Sequence, residues 1–439
     1  MVDKPVKINV RDVLNITVIV AALGYFVDIY DLVLFLIIGR DSLLALGIEQ
    51  GNVLKEFQFL LNVQMIGMLI GGILWGIMGD KKGRLSVLFG SILMYSVANA
   101  LNGMVGIFGE YSMTAYAVLR FVAGLGLAGE LGAGITLVSE IMSKETRGYG
   151  TMIVASIGVC GAVVAAVVAN NFGWEVAYFL GGGLGISLLL LRISVFESGI
   201  FKKLESRKVS RGNFFMLFAN NRRFMRYLHC ILIGLPIWYV IGILVGRAPE
   251  ISAILNVEGK VEPSISVMLC YTGLIFGDIA SGVLSQLIHS RKKVIGLFYV
   301  ALIIVIGLYL SLTGITATLF YTLVFLLGFS VGFWAIFVTV AAEHFGTNLR
   351  ATVATTVPNF VRGSLVPISL VFDGIFSAFL SSSNPVLNEN ALIYTAYIVT
   401  PALMLISFWS LSKLRETFGE DLDYLEEDRI QPQANYPHM

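Results

Sequence analysis

The chain has 439 residues, a mean hydropathy of +0.82, 56% hydrophobic and 13% charged residues, and a net charge of +1. A soluble protein carries about twice that charged fraction, so a water-soluble globular domain is excluded, and near-neutrality gives nucleic acid nothing to hold. Cys160, Cys230 and Cys270 lie in or beside apolar runs, with no CxxC and no His–Cys cluster, so buried thiols are expected and no metal site.

Runs of about 20 apolar residues are transmembrane candidates. In chain order they are 14–38, 56–78, 85–107, 113–137, 149–170, 175–194, 226–246, 265–289, 294–313, 317–341, 351–378 and 391–412. The first run is too long for a signal-peptide core and has no small-residue cleavage site, so it reads as a retained helix. No stretch alternates like a barrel strand. With both termini inside, the cytoplasmic segments carry 24 Lys and Arg, nine of them in 192–226, and the outer segments only Arg40, Lys55, Arg247 and Lys260. That asymmetry sets the orientation.

Span one carries "GYFVDIYDLVLF". Asp28 and Asp31 are three residues apart and share one helix face. Counted from residue 14, Asp28 lies about 21 Å along the helix, past mid-membrane. Two adjacent carboxylates in a low dielectric compete to stay charged, so one is suited to take up and release a proton. The plainer alternative is pairing with a lysine or capping a helix break. Span four carries Arg120 and Glu130. Glu130 lies about 15 Å from the cytoplasmic end, either as a second proton or substrate site or as a buried acid held by Arg120 or a span-one hydroxyl. Span eight carries Asp278, read as structural or gating. Span eleven carries Arg362 between Pro358 and Pro367. Its planar fork suits a carboxylate or phosphate, and a broken helix there would expose backbone to a ligand. The alternative is an interhelical salt bridge to Asp278. Tyr25, Tyr30, Trp238, Tyr239, Trp334 and Asn359 fall near the same depth and are candidate substrate contacts.

The two halves repeat. Gly67 and Gly71 of "GMLIGGILWGIMGDKKGR" match Gly273 and Gly277 of "GLIFGDIASGVLSQLIHSRKK". Glu140 and Arg147 after span four match Glu343 and Arg350 after span ten. The expected organisation is a six-helix bundle over 1–194, a basic cytoplasmic linker over 195–225, a second six-helix bundle over 226–412 and an acidic, solvated tail over 413–439. Repeated six-helix halves are a transporter architecture, with solute bound at the midplane between them.

At these residues the chain resembles the major facilitator superfamily. "GIMGDKKGR" is similar to its loop 2–3 signature, with Gly76, Asp80, Gly83 and Arg84 in the matching places and Lys81 where arginine is usual. Arg120 to Gly124 resembles the span-four R-x-x-x-G element. Arg192 to Ser198 resembles the R-x-x-x-x-E-S element of sugar porters and metabolite:proton symporters, without its usual prolines. "GLAGELGAG" and "SEIMSKETRG" resemble the span-four blocks of the same symporters, and "DIYDLV" resembles the D-x-Y-D-L of phosphate:proton symporters. The resemblance implies an all-α membrane protein with the major facilitator fold: twelve transmembrane helices in two pseudo-symmetric six-helix bundles, both termini cytoplasmic. It implies proton coupling through Asp28, Asp31, Glu130 and Arg120. It also implies a cytoplasmic gate built from Gly76, Asp80, Gly83, Arg84, Glu140, Arg147, Glu343 and Arg350.

The expected function is proton-coupled uptake of a small organic anion across a bacterial-type plasma membrane. The partners are a small polar solute, the lipid bilayer and no nucleic acid, the protein acting as a monomer with no cofactor beyond the proton gradient. Export of a polar metabolite such as a siderophore is the alternative vector, and a non-transporting nutrient sensor the alternative class. No nucleophile–base or metal-ligand constellation supports an enzyme.

Overall fold

A computed structural model of the chain describes residues 16–82, 84–142, 147–197, 214–419 and 426. Among the described residues, helices account for all repeating structure apart from one isolated bridge between Glu258 and Thr316. Eleven helical segments among the described residues are long and apolar enough to cross a membrane, from Ile16–Ala45 to Ala391–Lys413. The stretch expected as span three is the 19-residue apolar helix Arg84–Asn102. Large apolar side chains such as Leu190, Phe276, Leu370 and Leu405 project outward and exposed, as a lipid-facing surface requires. The ends nearest the basic loops are called inner below.

Several spans are not single helices. Span four runs Ser112–Leu127, breaks at Ala128 and Gly129, and resumes as Glu130–Ile141. Span ten runs Ala317–Ser330, breaks, and resumes as Trp334–Glu343. Gly129 and Gly332, one in each break, are 203 residues apart, the separation of Glu140 from Glu343. Span eleven is Thr347–Gly363 followed by Leu365–Leu380, so the expected break falls at Ser364, between the two prolines. Span seven contains a π-helical turn over Val240–Val245, closed by a bond from the Gly246 amide to the Ile241 carbonyl at 3.1 Å. π-turns of this kind recur at functional places.

The repeated glycines do the same work in both halves. A methyl on Gly67 would meet the Phe121 carbonyl, and one on Gly273 the Phe325 carbonyl; Gly71 and Gly277 stand likewise against the carbonyls of Leu125 and Phe329. Only glycine lets spans two and four, and spans eight and ten, approach backbone to backbone. The halves meet through spans two and eleven, spans five and eight, and spans one and eight. This is where a midplane site would lie.

Of the tail expected as a solvated extension, the described residues 413–419 and 426 are docked against the inner face, and the rest lies outside the described residues. Glu416 accepts hydrogen bonds from the Ser290 hydroxyl at 2.5 Å and from the amides of Arg291 and Lys292 at 3.0 and 3.2 Å, capping the helix Arg291–Ser311. Glu426 pairs with Arg223 and Arg226 at 3.3 and 2.7 Å, and its main chain exchanges two bonds with the Asn348 amide. Among the described tail residues, the Glu416 and Glu426 carboxylates thus have specific partners on the inner ends of spans nine and seven, and the Glu426 main chain meets span eleven.

Candidate functional site

Helix Ile16–Ala45 has 30 residues, about 45 Å. Asp28 is therefore about 18 Å from its inner end, near the middle rather than toward the outer side, because the helix continues beyond the expected residue 38. Asp28 and Arg362 are both fully buried and form an ion pair of 3.6 Å between Oδ2 and Nη2. Arg362 thus meets the other half of the molecule, not Asp278. The pair is in charge contact without being hydrogen-bonded: both Asp28 oxygens and all three Arg362 nitrogens are unpartnered. The guanidinium lies 5.5 Å from the Trp334 ring centre, a stacking mode favoured by arginine. Tyr25 stands beside Asp28, Arg362 and Trp334. The Trp334 Nε1 and the Tyr271 hydroxyl are buried and unpartnered as well, and Tyr271 lies within charge reach of the same guanidinium. The arrangement offers several N–H and O–H donors around one carboxylate at mid-depth.

Both sides of this site are closed. On the inner side, Asn359 donates to the Ala128 carbonyl at 2.7 Å, using the backbone group that the span-four break sets free. A methyl on Gly72 would stand 2.8 Å from the Asn359 Cβ, and one on Gly132 2.6 Å from the Thr355 Cβ. On the outer side, Arg40 binds the Gly246 carbonyl at 2.9 Å and Glu250 at 2.8 Å, and Ser369 donates to Asn62 at 3.2 Å. The conformation is occluded, with the Asp28–Arg362 pair between two closures.

A second cluster lies wholly within the first half. Asp31 is fully buried with both oxygens unpartnered; Asn99 and Arg120 face it. Arg120 donates to Gln64 and lies 4.5 Å from the Phe35 ring centre. Tyr116 and Tyr178 hydroxyls bond at 2.7 Å beside it. A third cluster was not expected. Arg192, assigned from sequence to the loop after span six, sits inside helix Trp174–Glu197 and grips Glu130 with two bonds of 2.9 and 2.8 Å. Ser91 adds a third bond to Glu130 at 3.1 Å. A side chain on Gly24 would occupy the space of the Arg192 guanidinium, so the glycine admits the arginine. The partner of Glu130 is therefore neither Arg120 nor a span-one hydroxyl.

A family model for the major facilitator superfamily matches residues 14–367. The chain belongs to the major facilitator superfamily. It is 27% identical over 384 residues to a putative niacin/nicotinamide transporter of Bacillus subtilis, covering 82% of this chain and 90% of that one. It is also 27% identical over 375 residues to a probable 4-methylmuconolactone transporter of Cupriavidus pinatubonensis, covering 82% and 83%. The proton:xylose symporter XylE bound to 6-bromo-6-deoxy-D-glucose superposes with a TM-score of 0.69 at 12% identity, over 92% of this chain and 97% of that structure. This superfamily member is a multi-pass plasma-membrane transporter of the metabolite and sugar porter type, and not an enzyme.

Within the superfamily fold, the expected site residues separate. Asp28, Tyr25, Trp334 and Arg362 come together, and Asn359 is one turn inward, spent on the Ala128 carbonyl. Tyr30 instead turns away, donating to the Ala177 carbonyl at 3.0 Å inside the first half. Tyr239 bonds the Thr400 hydroxyl at 2.8 Å, toward span twelve. Trp238 is buried. Of the expected gate, Gly83 and the side chains of Asp80, Arg84, Glu140 and Arg147 lie outside the described residues. Gly76 faces Thr356 and Thr352 of span eleven. Glu343 is taken by Arg291 at 2.7 Å and by Thr417 at 2.8 Å, with Arg350 nearby. Sequence reasoning missed Tyr271, although it precedes Asp278 by seven residues and so shares its helix face. It also missed Gln64 and Asn99, whose signal was an amide inside an apolar run.

Proposed function

We propose that this transporter is a proton-coupled symporter that takes up a small organic anion, and that Asp28 and Arg362 are its coupling pair. The observation that carries the reading is the ion pair itself: two fully buried charges, one from each half, at mid-depth between two closures. An intramembrane charge is retained for function. At 3.6 Å and without a hydrogen bond, Arg362 is held to Asp28 by charge alone. A proton on Asp28 removes that hold and leaves the arginine fork for the carboxylate of a solute, which it binds by two parallel bonds. Proton and anion then enter together because each needs the other to leave Arg362 neither unpaired nor over-paired. Asp31, beside Arg120, is a second carboxylate able to carry a proton. Glu130 departs from its expected coupling role, since Arg192 and Ser91 already satisfy it. Of the two solutes in the name of the relative from Bacillus subtilis, niacin, an aromatic monocarboxylate, fits the anion reading, and nicotinamide is neutral.

A thermal-shift screen of purified protein against nicotinate, benzoate, phosphate, sugars and amino acids tests the reading. Stabilisation by a carboxylate, lost in Arg362→Ala, is the expected result. Stabilisation by neutral sugars alone, unchanged in Arg362→Ala, would refute it.

A further inference from the structure

Asp278 is fully buried on span eight, yet it has no cationic partner among the described residues. Its Oδ1 accepts from the backbone amide of Ala335 at 3.1 Å, and the Trp334 amide faces the same carboxylate. These are the first two residues of the ten-residue helix Trp334–Glu343, whose own N-cap residue, Phe333, supplies no side-chain bond. The cap is therefore delivered across the bundle, from span eight to the break in span ten. Two glycines make this possible. Gly277 and Gly332 stand backbone to backbone, each in the space a side chain on the other would need, and this brings the next residue, Asp278, onto the helix start. Free amides at a helix N-terminus favour an anion, and Asp278 meets that demand in a place where water has no access.

We infer that Asp278 is a positioning residue for the solute site, acting through Trp334. Trp334 is the first residue of the capped helix, and its ring is the platform on which Arg362 lies. The bond from Asp278 fixes where that helix begins, hence where the indole stands and how the guanidinium is presented. The repeat underlines the specialisation. The position equivalent to Asp278 in the first half is Gly72, by the offset that relates Gly71 to Gly277. There the span-four break is instead served by Asn359, donating to the freed carbonyl of Ala128. One half thus has an acid at its helix start and the other an amide at its helix end.

The inference rests on the assignment of Arg362 to the solute, but its test does not need a solute. In Asp278→Ala the helix start loses its acceptor. Amide hydrogen exchange over 334–343 should rise at least about tenfold, and acrylamide quenching of Trp334, measured with the other four tryptophans replaced by Phe, should rise with it. Asp278→Asn keeps a carbonyl oxygen for the same amides and should hold both readouts within about twofold of the parent. With nicotinate as probe, Asp278→Ala should weaken binding by at least about tenfold while Asp278→Asn does not. Parent-like exchange and quenching in Asp278→Ala would overturn the proposal, and so would an Asn variant that behaves like Ala. If Asp278→Ala does not fold, the Asn variant decides alone: kept protection supports the cap, and lost protection overturns it. If the structural readouts change as expected and no carboxylate binds any variant, the anion reading fails and the positioning role stands.

Discussion

Replacing Glu130 separates a fixed ion pair from a proton carrier. Arg192 and Glu130 are 5% and 1% exposed and bonded at 2.8 Å, whereas Asp28 and Arg362 are fully buried at 3.6 Å without a hydrogen bond. At an effective dielectric of about 20 the gross attractions are about 6 and about 5 kcal/mol, so distance alone barely distinguishes them. The hydrogen bonds do. Glu130→Gln removes the charge that two arginine bonds and a serine bond satisfy, leaving Arg192 buried and uncompensated, a loss of about 3–5 kcal/mol. Asp28→Asn likewise leaves Arg362 buried without its counter-charge, but it breaks no hydrogen bond, so its cost should fall at the lower end of that range, about 3 kcal/mol. Replacing both members of the first pair, Glu130→Leu with Arg192→Met, should recover most of the loss, because apolar residues of similar volume substitute well for a buried pair. The assay is thermal unfolding of detergent-purified protein, with pH-driven uptake measured on the same variants. The reasoning is refuted if Glu130→Gln unfolds like the parent and yet cannot accumulate solute, since Glu130 would then carry the proton.

Other consequences concern the closures and the tail. A methyl at Gly132 overlaps Thr355, while one at Gly76 meets Thr356 at an ordinary 3.4 Å. Gly132→Ala should therefore hold the inner side open, speeding maleimide labelling of a cysteine at position 352 about tenfold for a shift of 1.4 kcal/mol, and Gly76→Ala should leave the rate unchanged; equal rates in the two variants contradict this. Arg40 and Glu250 are 15% and 32% exposed, so Arg40→Gln should loosen the outer closure only about two- to fivefold, read as outer-side labelling of a cysteine at position 369. In the tail, burial raises the Glu416 carboxyl, but bonds from Ser290 and from the amides of Arg291, Phe418 and Lys292 outweigh it and hold the group below its ordinary 4.5. A lowered carboxylate stabilises the docked tail above the ordinary value and ceases to do so as pH falls through the lowered one. Protection factors over 291–294, referred to the intrinsic exchange rate at each pH, should stay high at pH 6 and fall in acid, and Glu416→Ala should show the lowered protection already at pH 6.

Much of this was legible in the sequence because lipid imposes simple rules. Apolar length set the spans, and the glycine pairs predicted a backbone approach that Gly67 and Gly273 make against equivalent carbonyls. Charges in apolar runs marked Asp28, Asp31, Arg120, Glu130, Asp278 and Arg362, every one of them buried. Who pairs with whom was not legible, because partners come from different helices and depend on rotation about each axis. Arg192 was read as loop because it stands near a span's end and beside a basic linker. Its actual surroundings, "GISLLLLRISVF", are apolar on both sides, which was the available sign. Tyr30 was placed with Asp28 by depth, yet it lies two residues on and faces span six instead. Asp278 and Arg362 look complementary in sequence, but Asp278 is held by backbone amides at a helix break that no charge pattern reveals.

The central claim is that Asp28 links proton entry to anion binding at Arg362. The direct test is uptake into proteoliposomes under an imposed pH gradient, alkaline inside, using a carboxylate that stabilises the parent and loses its effect in Arg362→Ala. Asp28→Asn should still exchange that carboxylate across the membrane but fail to accumulate it, while the parent concentrates it. Parent-like gradient-driven accumulation by Asp28→Asn would contradict the account.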